Sequence, residues 1–324
     1  MPLVINDQVL DFMPVDTHSL FERFPHFKDM SSLLVSQVAK VVSPHGLLYI
    51  HQRELAVTAA SDKHVSIIGT DDMTTCQCVI IRHTGNGAVG LGHFDGNGIE
   101  DGVSKIIHKL HDLSHEQYQY GQPESKQNRF EVTIVGGFLD QRQLSEQISM
   151  QVLYALHKQA IRLHLVQMCV GELNTTHRNA LNWPIVTGVG VLIKTGEIFL
   201  ASFPDKGPEL DLRSAVFFTG SRDVKHVMFD VYDCSLGLMK IGPFNYEPMR
   251  GVDLWLQQSD DFILQNLSTS PEVEPAHFVM NVRATFKFIQ QNPFPTVTVF
   301  PDNTAHFFRK NEHGLWDICR YDFR

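Results

Sequence analysis

The sequence predicts an α+β fold in which short strands, mostly antiparallel but in mixed sheets, alternate with amphipathic helices. Three observations carry this reading. Between residues 47 and 94 the chain offers five short apolar runs separated by turn residues, too closely spaced to admit helices between them. The last two runs are joined through Asn86-Gly87, the strongest short hairpin signal, because both central residues of a type I′ turn need positive φ. Residues 130–137, 140–158 and 161–170 then read strand, helix, strand, a crossover long enough for parallel pairing.

In chain order, 16–24 and 27–42 have helical spacing, the second with Met30, Leu33, Leu34, Val38 and Val41 on one side, and together suggest an N-terminal helical cap. Runs 47–51, 54–58 and 64–68 follow as strands of one sheet that ends near Cys76. After the hairpin of 76–81 and 89–94, Val103, Ile106, Ile107 and Leu110 mark a helix over 99–113, and 116–128 is a polar loop. The stripe Leu144, Ile148, Val152, Leu153 and Leu156 makes 140–158 the clearest helix. A polar segment at 171–183 leads into a long β-branched strand at 184–194, which turns at Thr195-Gly196 into 197–203. A loop and short helix at 205–218 precede a hairpin of 226–233 and 238–241. Helices at 252–267 and 275–290 flank Ser268-Thr269-Ser270-Pro271, and 296–321 reads as three short strands. The expected division is a main domain over 1–245 and an extension over 246–324 packed on it, since Trp255, Phe262, Phe278, Phe286 and Phe288 need burial.

The 324 residues are 43% apolar, enough for a substantial core. A net charge of −9, from 27 basic and 36 acidic residues without blocks, argues against nucleic acid or an anionic membrane as partner and points to small molecules or peptides. Five cysteines at irregular spacing imply no disulfide framework and favour a reducing compartment, cytoplasmic or nuclear. No apolar run reaches membrane-spanning length, and a monomer is expected.

Reactive side chains concentrate in residues 70–96, where the hairpin brings His93 into the neighbourhood of Cys76 and sets the residue opposite Cys76 near position 97. A thiol beside an imidazole is the minimal unit of cysteine nucleophilic catalysis, a neighbouring imidazolium favouring the thiolate. Three other readings stand beside it. Cys76 is an ordinary core cysteine, since cysteine is among the most buried residue types. Cys76 and Cys78 bind a metal with His83 or His93, although no second cysteine pair at zinc-site spacing exists. Gly85-Asn86-Gly87-Ala88-Val89-Gly90 holds a dinucleotide phosphate, although the glycine-rich residues after it are unfit to open the required helix.

Pro44-His45-Gly46-Leu47-Leu48-Tyr49, Gln52-Arg53-Glu54-Leu55-Ala56-Val57-Thr58, Asp71-Asp72-Met73-Thr74-Thr75-Cys76, Arg82-His83-Thr84-Gly85-Asn86-Gly87-Ala88, Val135-Gly136-Gly137-Phe138, Asp140-Gln141-Arg142-Gln143-Leu144-Ser145, Glu172-Leu173-Asn174, Asp205-Lys206-Gly207-Pro208-Glu209, Ile241-Gly242-Pro243 and Asn266-Leu267-Ser268-Thr269-Ser270-Pro271 together resemble the eukaryotic protein N-terminal asparagine amidohydrolases over nearly the whole chain. The resemblance implies that Cys76 is the nucleophile, that N-terminal asparagine becomes aspartate with loss of ammonia, and that the product feeds ubiquitin-dependent degradation of proteins marked by their N-termini. The core also resembles chemoreceptor glutamine deamidases and deamidating toxins, which implies an α/β/β sandwich. Thr70, Cys76 and His93 stand at the offsets of those enzymes' threonine, cysteine and histidine. On this basis Cys76, His93 and Thr70 are the expected catalytic set, with Asp95 a rival for orienting His93 and Thr75-Cys76 backbone N–H groups as an oxyanion hole. No cofactor or metal is expected, and a catalytically inactive binder of protein N-termini is the alternative. A terminal asparagine is distinguished by its free α-ammonium, which demands a close carboxylate. Glu172 is the first candidate, before Asp71 and Asp72.

Overall fold

The computed structural model describes residues 3–114, 128–218 and 227–320, and its central feature is an eight-stranded mixed sheet. The strands run in the order Phe229–Asp230, Glu54–Thr58, Val89–Phe94, Gln77–His83, Phe130–Gly136, Leu163–Cys169, Val4–Ile5 and Gln8–Val9. A second sheet has five strands: Lys40–Val41, Glu197–Ser202, Val189–Leu192, Ile67–Thr70 and Leu47–Tyr49. Alternation along the strands explains how three layers form. Leu55, Val57, Val79, Ile81 and Phe94 face the helices Ile99–Ser114 and Leu144–His157 in one core. Their neighbours Ala56, Cys78, Ile80, Val89 and Leu91 face Leu48, Ile68, Val189 and Val191 of the second sheet in another. Because both faces of the large sheet are buried, its central strands read as continuous apolar runs rather than alternating ones.

The hairpin and the crossover form as expected. Gln77–His83 pairs antiparallel with Val89–Phe94, and Phe130–Gly136 pairs parallel with Leu163–Cys169 around the helix Leu144–His157. The turn differs from type I′: only Gly87 of residues 84–87 has positive φ, and its N–H donates to the His83 carbonyl at 2.9 Å. A four-residue loop therefore sets the register, with Cys78 opposite His93 and Gln77 opposite Phe94, so the position level with Cys76 is 95 rather than 97.

Several expected elements are rearranged. The second N-terminal helix covers only His26–Val35, burying Phe27, Ser31 and Leu34, while Leu33, Val38 and Val41 are exposed and Lys40–Val41 joins the second sheet. The strands at 47–51 and 64–68 pair parallel with each other, but Glu54–Thr58 belongs to the other sheet. The expected long strand at 184–194 is two strands: Leu181–Pro184 pairs with Thr175–Arg178, and Val189–Leu192 enters the second sheet. The helix at 252–267 restarts at Asp260 with Ser259 capping Phe262, giving Val252–Leu256 and Asp260–Leu267. Near the end, Pro295–Thr298 is a helical turn, and two strands, His306–Lys310 and Trp316–Cys319, replace the expected three. The polar loop at 116–128 lies outside the described residues save its last, as do the ends of the elements expected at 226–233 and 296–321.

Residues after 245 are tied to those before it. His306–Lys310 pairs with Leu238–Ile241, and Phe300 is fully buried in the core between the sheets. Of the five aromatic residues expected to be buried, Phe286 is fully so, Trp255, Phe278 and Phe288 are half-buried, and Phe262 is exposed.

Candidate active site

Cys76 stands immediately before the strand Gln77–His83, on the same side as Cys78, at the end of the space between the two sheets. Two features fix its backbone. Gln77 is buried and donates its Nε2 to the Ser145 carbonyl at 2.9 Å, locking the strand's start to the helix Leu144–His157. Gly136, at φ 112°, lies against the Cys76 carbonyl, where an added Cβ would be 2.7 Å from that oxygen. The Val135-Gly136-Gly137-Phe138 motif thus has a physical reason. Asn174 supports it by donating Nδ2 to the carbonyls of Gly137 at 2.9 Å and Val186 at 3.1 Å.

His93 projects from the neighbouring strand toward the second sheet, where its Nδ1 lies 2.7 Å from the Thr70 hydroxyl. Both residues are buried, and the bond joins the two sheets. The other ring nitrogen, Nε2, is buried and has no hydrogen-bond partner among the described residues. Asp95 is committed elsewhere: Oδ2 accepts from Arg53 Nε at 2.6 Å and Gln52 Nε2 at 2.8 Å, and Oδ1 from the Asn97 N–H at 3.0 Å. Of the two candidate orienters, Thr70 therefore holds the ring.

The acidic candidates separate clearly. Asp71 is buried, accepting from the Tyr49 hydroxyl and the Phe203 N–H, both at 2.8 Å, and pairing with Lys206 at 3.0 Å. Asp72, in the left-handed region at φ 58°, is bound through Oδ2 by Lys206 and by His277 at 3.0 Å. Glu172 is not brought to Cys76. It sits on a short 3₁₀ turn and bonds His18 of the first helix at 2.7 Å, and the polar residue of its motif that reaches the sheet is Asn174. Thr75 bonds the hydroxyl of Thr269 at 2.9 Å.

That last contact exposes what the sequence did not: residues 268–277 run across the site. Thr269 holds Thr75, His277 holds Asp72, and Glu274 is bonded to the Ser268 hydroxyl at 2.6 Å and to the side chain of Thr74. Glu274 makes no ion pair with a lysine or arginine among the described residues. Its only sequence signal was its position just beyond Asn266-Leu267-Ser268-Thr269-Ser270-Pro271. Lys206 had no assigned role either, although its motif was visible.

Burial governs the titration of the pair. It pushes the Cys76 thiol well above its ordinary value, and the carboxylates of Asp95 and Glu274 add to the rise against Arg53. It lowers His93 to about 4, despite Asp95 and Asp72. Burial thus works against charge on both members of the pair, opposing the thiolate and the imidazolium alike. Glu274 is raised to about 7 by burial, with the charge of Asp72 contributing, while Asp72, though burial opposes it, is kept low by Lys206 and His277. Among the described residues no group of three or more His, Cys, Asp or Glu side chains is placed to hold a metal ion.

The family model for protein N-terminal asparagine amidohydrolase matches residues 37–318. The chain is 43% identical to the protein N-terminal asparagine amidohydrolase of Sus scrofa over 98% of this chain and 97% of that protein, and 42% identical to that of Homo sapiens over 98% of each. The enzyme of that name from Arabidopsis thaliana is 27% identical over 84% of this chain and 81% of its own length. With a match of this extent, running through the Cys76 hairpin and the segment that crosses it, the chain belongs to the protein N-terminal asparagine amidohydrolase family.

Proposed function

We propose that this protein hydrolyses the side-chain amide of an N-terminal asparagine to aspartate and ammonia, with Cys76 as nucleophile. The observation that carries the mechanism is the Thr70–His93 bond with a buried Nε2 that has no partner among the described residues. When Nδ1–H donates to the Thr70 oxygen, Nε2 carries the lone pair and serves as base. Sγ attacks the asparagine Cγ as Nε2 takes the thiol proton. The tetrahedral intermediate collapses with cleavage of C–N, and the same proton leaves on ammonia. Water then attacks the thioester, giving a proton to Nε2 that returns to the departing Sγ. The N–H groups of Thr75 and Cys76, which donate to no acceptor in the described structure, are the candidates for the oxyanion, each worth about 3 kcal/mol in comparable sites.

Opposition to charge on the resting pair suits an amide. Substrate arrival completes desolvation, and the charge created by proton transfer appears only where the oxyanion donors offset it. The layering of helices, large sheet and second sheet supports a likeness to cysteine deamidases, and residues 268–277 of the extension finish one wall of the site. Aspartate so exposed would mark substrates for ubiquitin-dependent degradation in the cytoplasm or nucleus. The test is ammonia release and mass spectrometry on peptides beginning Asn, Gln, Asp and acetyl-Asn. Only the free Asn peptide is expected to be converted efficiently, and full turnover by Cys76→Ala would overturn the assignment.

A further inference from the structure

We infer that Glu274, carried across the site by residues 268–277, is the carboxylate that receives the α-ammonium of the substrate asparagine, a role that rests on the proposed function. Elimination among the acidic groups leads there. Asp71 is filled by Tyr49, Phe203 and Lys206, Asp95 by Arg53, Gln52 and Asn97, and Glu172 by His18. Asp72 shares Lys206 and His277 through Oδ2. Among the described residues Glu274 combines partial burial and electrostatic reach of Cys76 with no lysine or arginine partner, the one imidazole acting on it, His277, being bonded to Asp72. Ser268 and Thr74 hold it in place with hydroxyl donors, and only the more distant charge of His277, shared with Asp72, acts to offset its own.

A half-buried carboxylate without a cation is unfavourable unless a ligand supplies one. The substrate ammonium does so, and its arrival also relieves the repulsion between Glu274 and Asp72. Thr74, which bonds Glu274, lies two residues from Cys76, so the ammonium anchor and the nucleophile are held by one short piece of backbone. A carboxamide placed one methylene farther out, as in glutamine, then overshoots Sγ, and a misplacement of about 1 Å costs about a hundredfold. Burial holds the Glu274 carboxyl up at about 7, so binding of the amine is expected to weaken as pH falls through that range.

The experiment compares an Asn-starting peptide with its des-amino analogue, in which 3-carbamoylpropanoyl replaces the asparagine. Wild type should prefer the amine by about a hundredfold or more in kcat/KM. Glu274→Gln should raise KM for the amine peptide by a similar factor, leave kcat within a few-fold, and change the des-amino rate far less than the amine rate, so that the preference collapses. A preserved preference in Glu274→Gln, or an equal loss on both peptides, overturns the inference. Should that variant not fold, wild type answers alone. Asparagine amide should inhibit competitively, and less so as pH drops through about 7, whereas succinamide should not; equal inhibition by the two sinks the inference. Failure of wild type to release ammonia from the Asn peptide would instead be a failure of the proposed function.

Discussion

Thr70 and His93 show how much one hydroxyl is asked to do. The bond at 2.7 Å fixes which imidazole nitrogen is free, so Thr70→Val is expected to lower kcat by about 10–100-fold with KM little changed, and Thr70→Ser to restore most of it. Steady-state kinetics of the two variants checks this. His93, depressed to about 4 from 6.5, contributes stability that is present above pH 6.5 and lost as pH falls through about 4. Glu274 works in the opposite sense: raised to about 7 from 4.5, it contributes stability below pH 4.5 that is lost as pH rises through about 7. Glu274→Gln should therefore be more stable than wild type above pH 7, by about 1 kcal/mol, in urea titrations across pH. A variant that gains stability while losing substrate affinity is the signature of a group kept for function. The upward push of burial on the Cys76 thiol carries its own expectation. Iodoacetamide should modify Cys76 slowly near neutral pH in the absence of substrate, and rapid labelling there would indicate a thiolate.

At the scale of elements, the site depends on glycines and polar staples that place a strand end. Gly136→Ala adds a Cβ at 2.7 Å from the Cys76 carbonyl in a backbone region costly for any side chain. It should lower stability by about 1–3 kcal/mol and lower kcat by more than the folded fraction accounts for, as thermal melts and kinetics on the same sample would show. This scale also shows what was legible in the sequence. The hairpin delivering His93 is local, so its partners could be found from spacing even though the turn was of another type and moved the register by two residues. The crossover helix was legible from its stripe, with Ile148, Val152, Leu153 and Leu156 all buried. Apolar spacing misled where tertiary packing took another face, as in His26–Val35, where Leu33 is 66% exposed and Phe27 is buried instead. The runs at 47–51, 54–58 and 64–68 looked alike, and nothing local revealed that the middle one joins a different sheet.

On the whole-molecule scale the site has three owners. Cys76 and His93 come from the large sheet, Thr70 from the second, and Thr269, Glu274 and His277 from the segment after residue 245. The contacts binding that segment to residues 72–75 join positions about two hundred residues apart in the chain, which is why spacing along the sequence pointed to Glu172 and not to Glu274, the carboxylate proposed here. The same contacts, together with the pairing of His306–Lys310 on Leu238–Ile241 and the burial of Phe300, argue that residues 1–245 do not fold cooperatively alone. A chain ending at 245 should lack a sharp unfolding transition in circular dichroism and should release no ammonia.

The nucleophile itself is tested most directly by acid-quenching the enzyme during turnover of an Asn-starting peptide and mapping the adduct by mass spectrometry. The expected result is a thioester on Cys76, between Sγ and the former side-chain carbonyl, present in wild type, absent in Cys76→Ala, and discharged by hydroxylamine to the β-hydroxamate of the peptide. Turnover without any adduct on Cys76, with ammonia still released by Cys76→Ala, would contradict it.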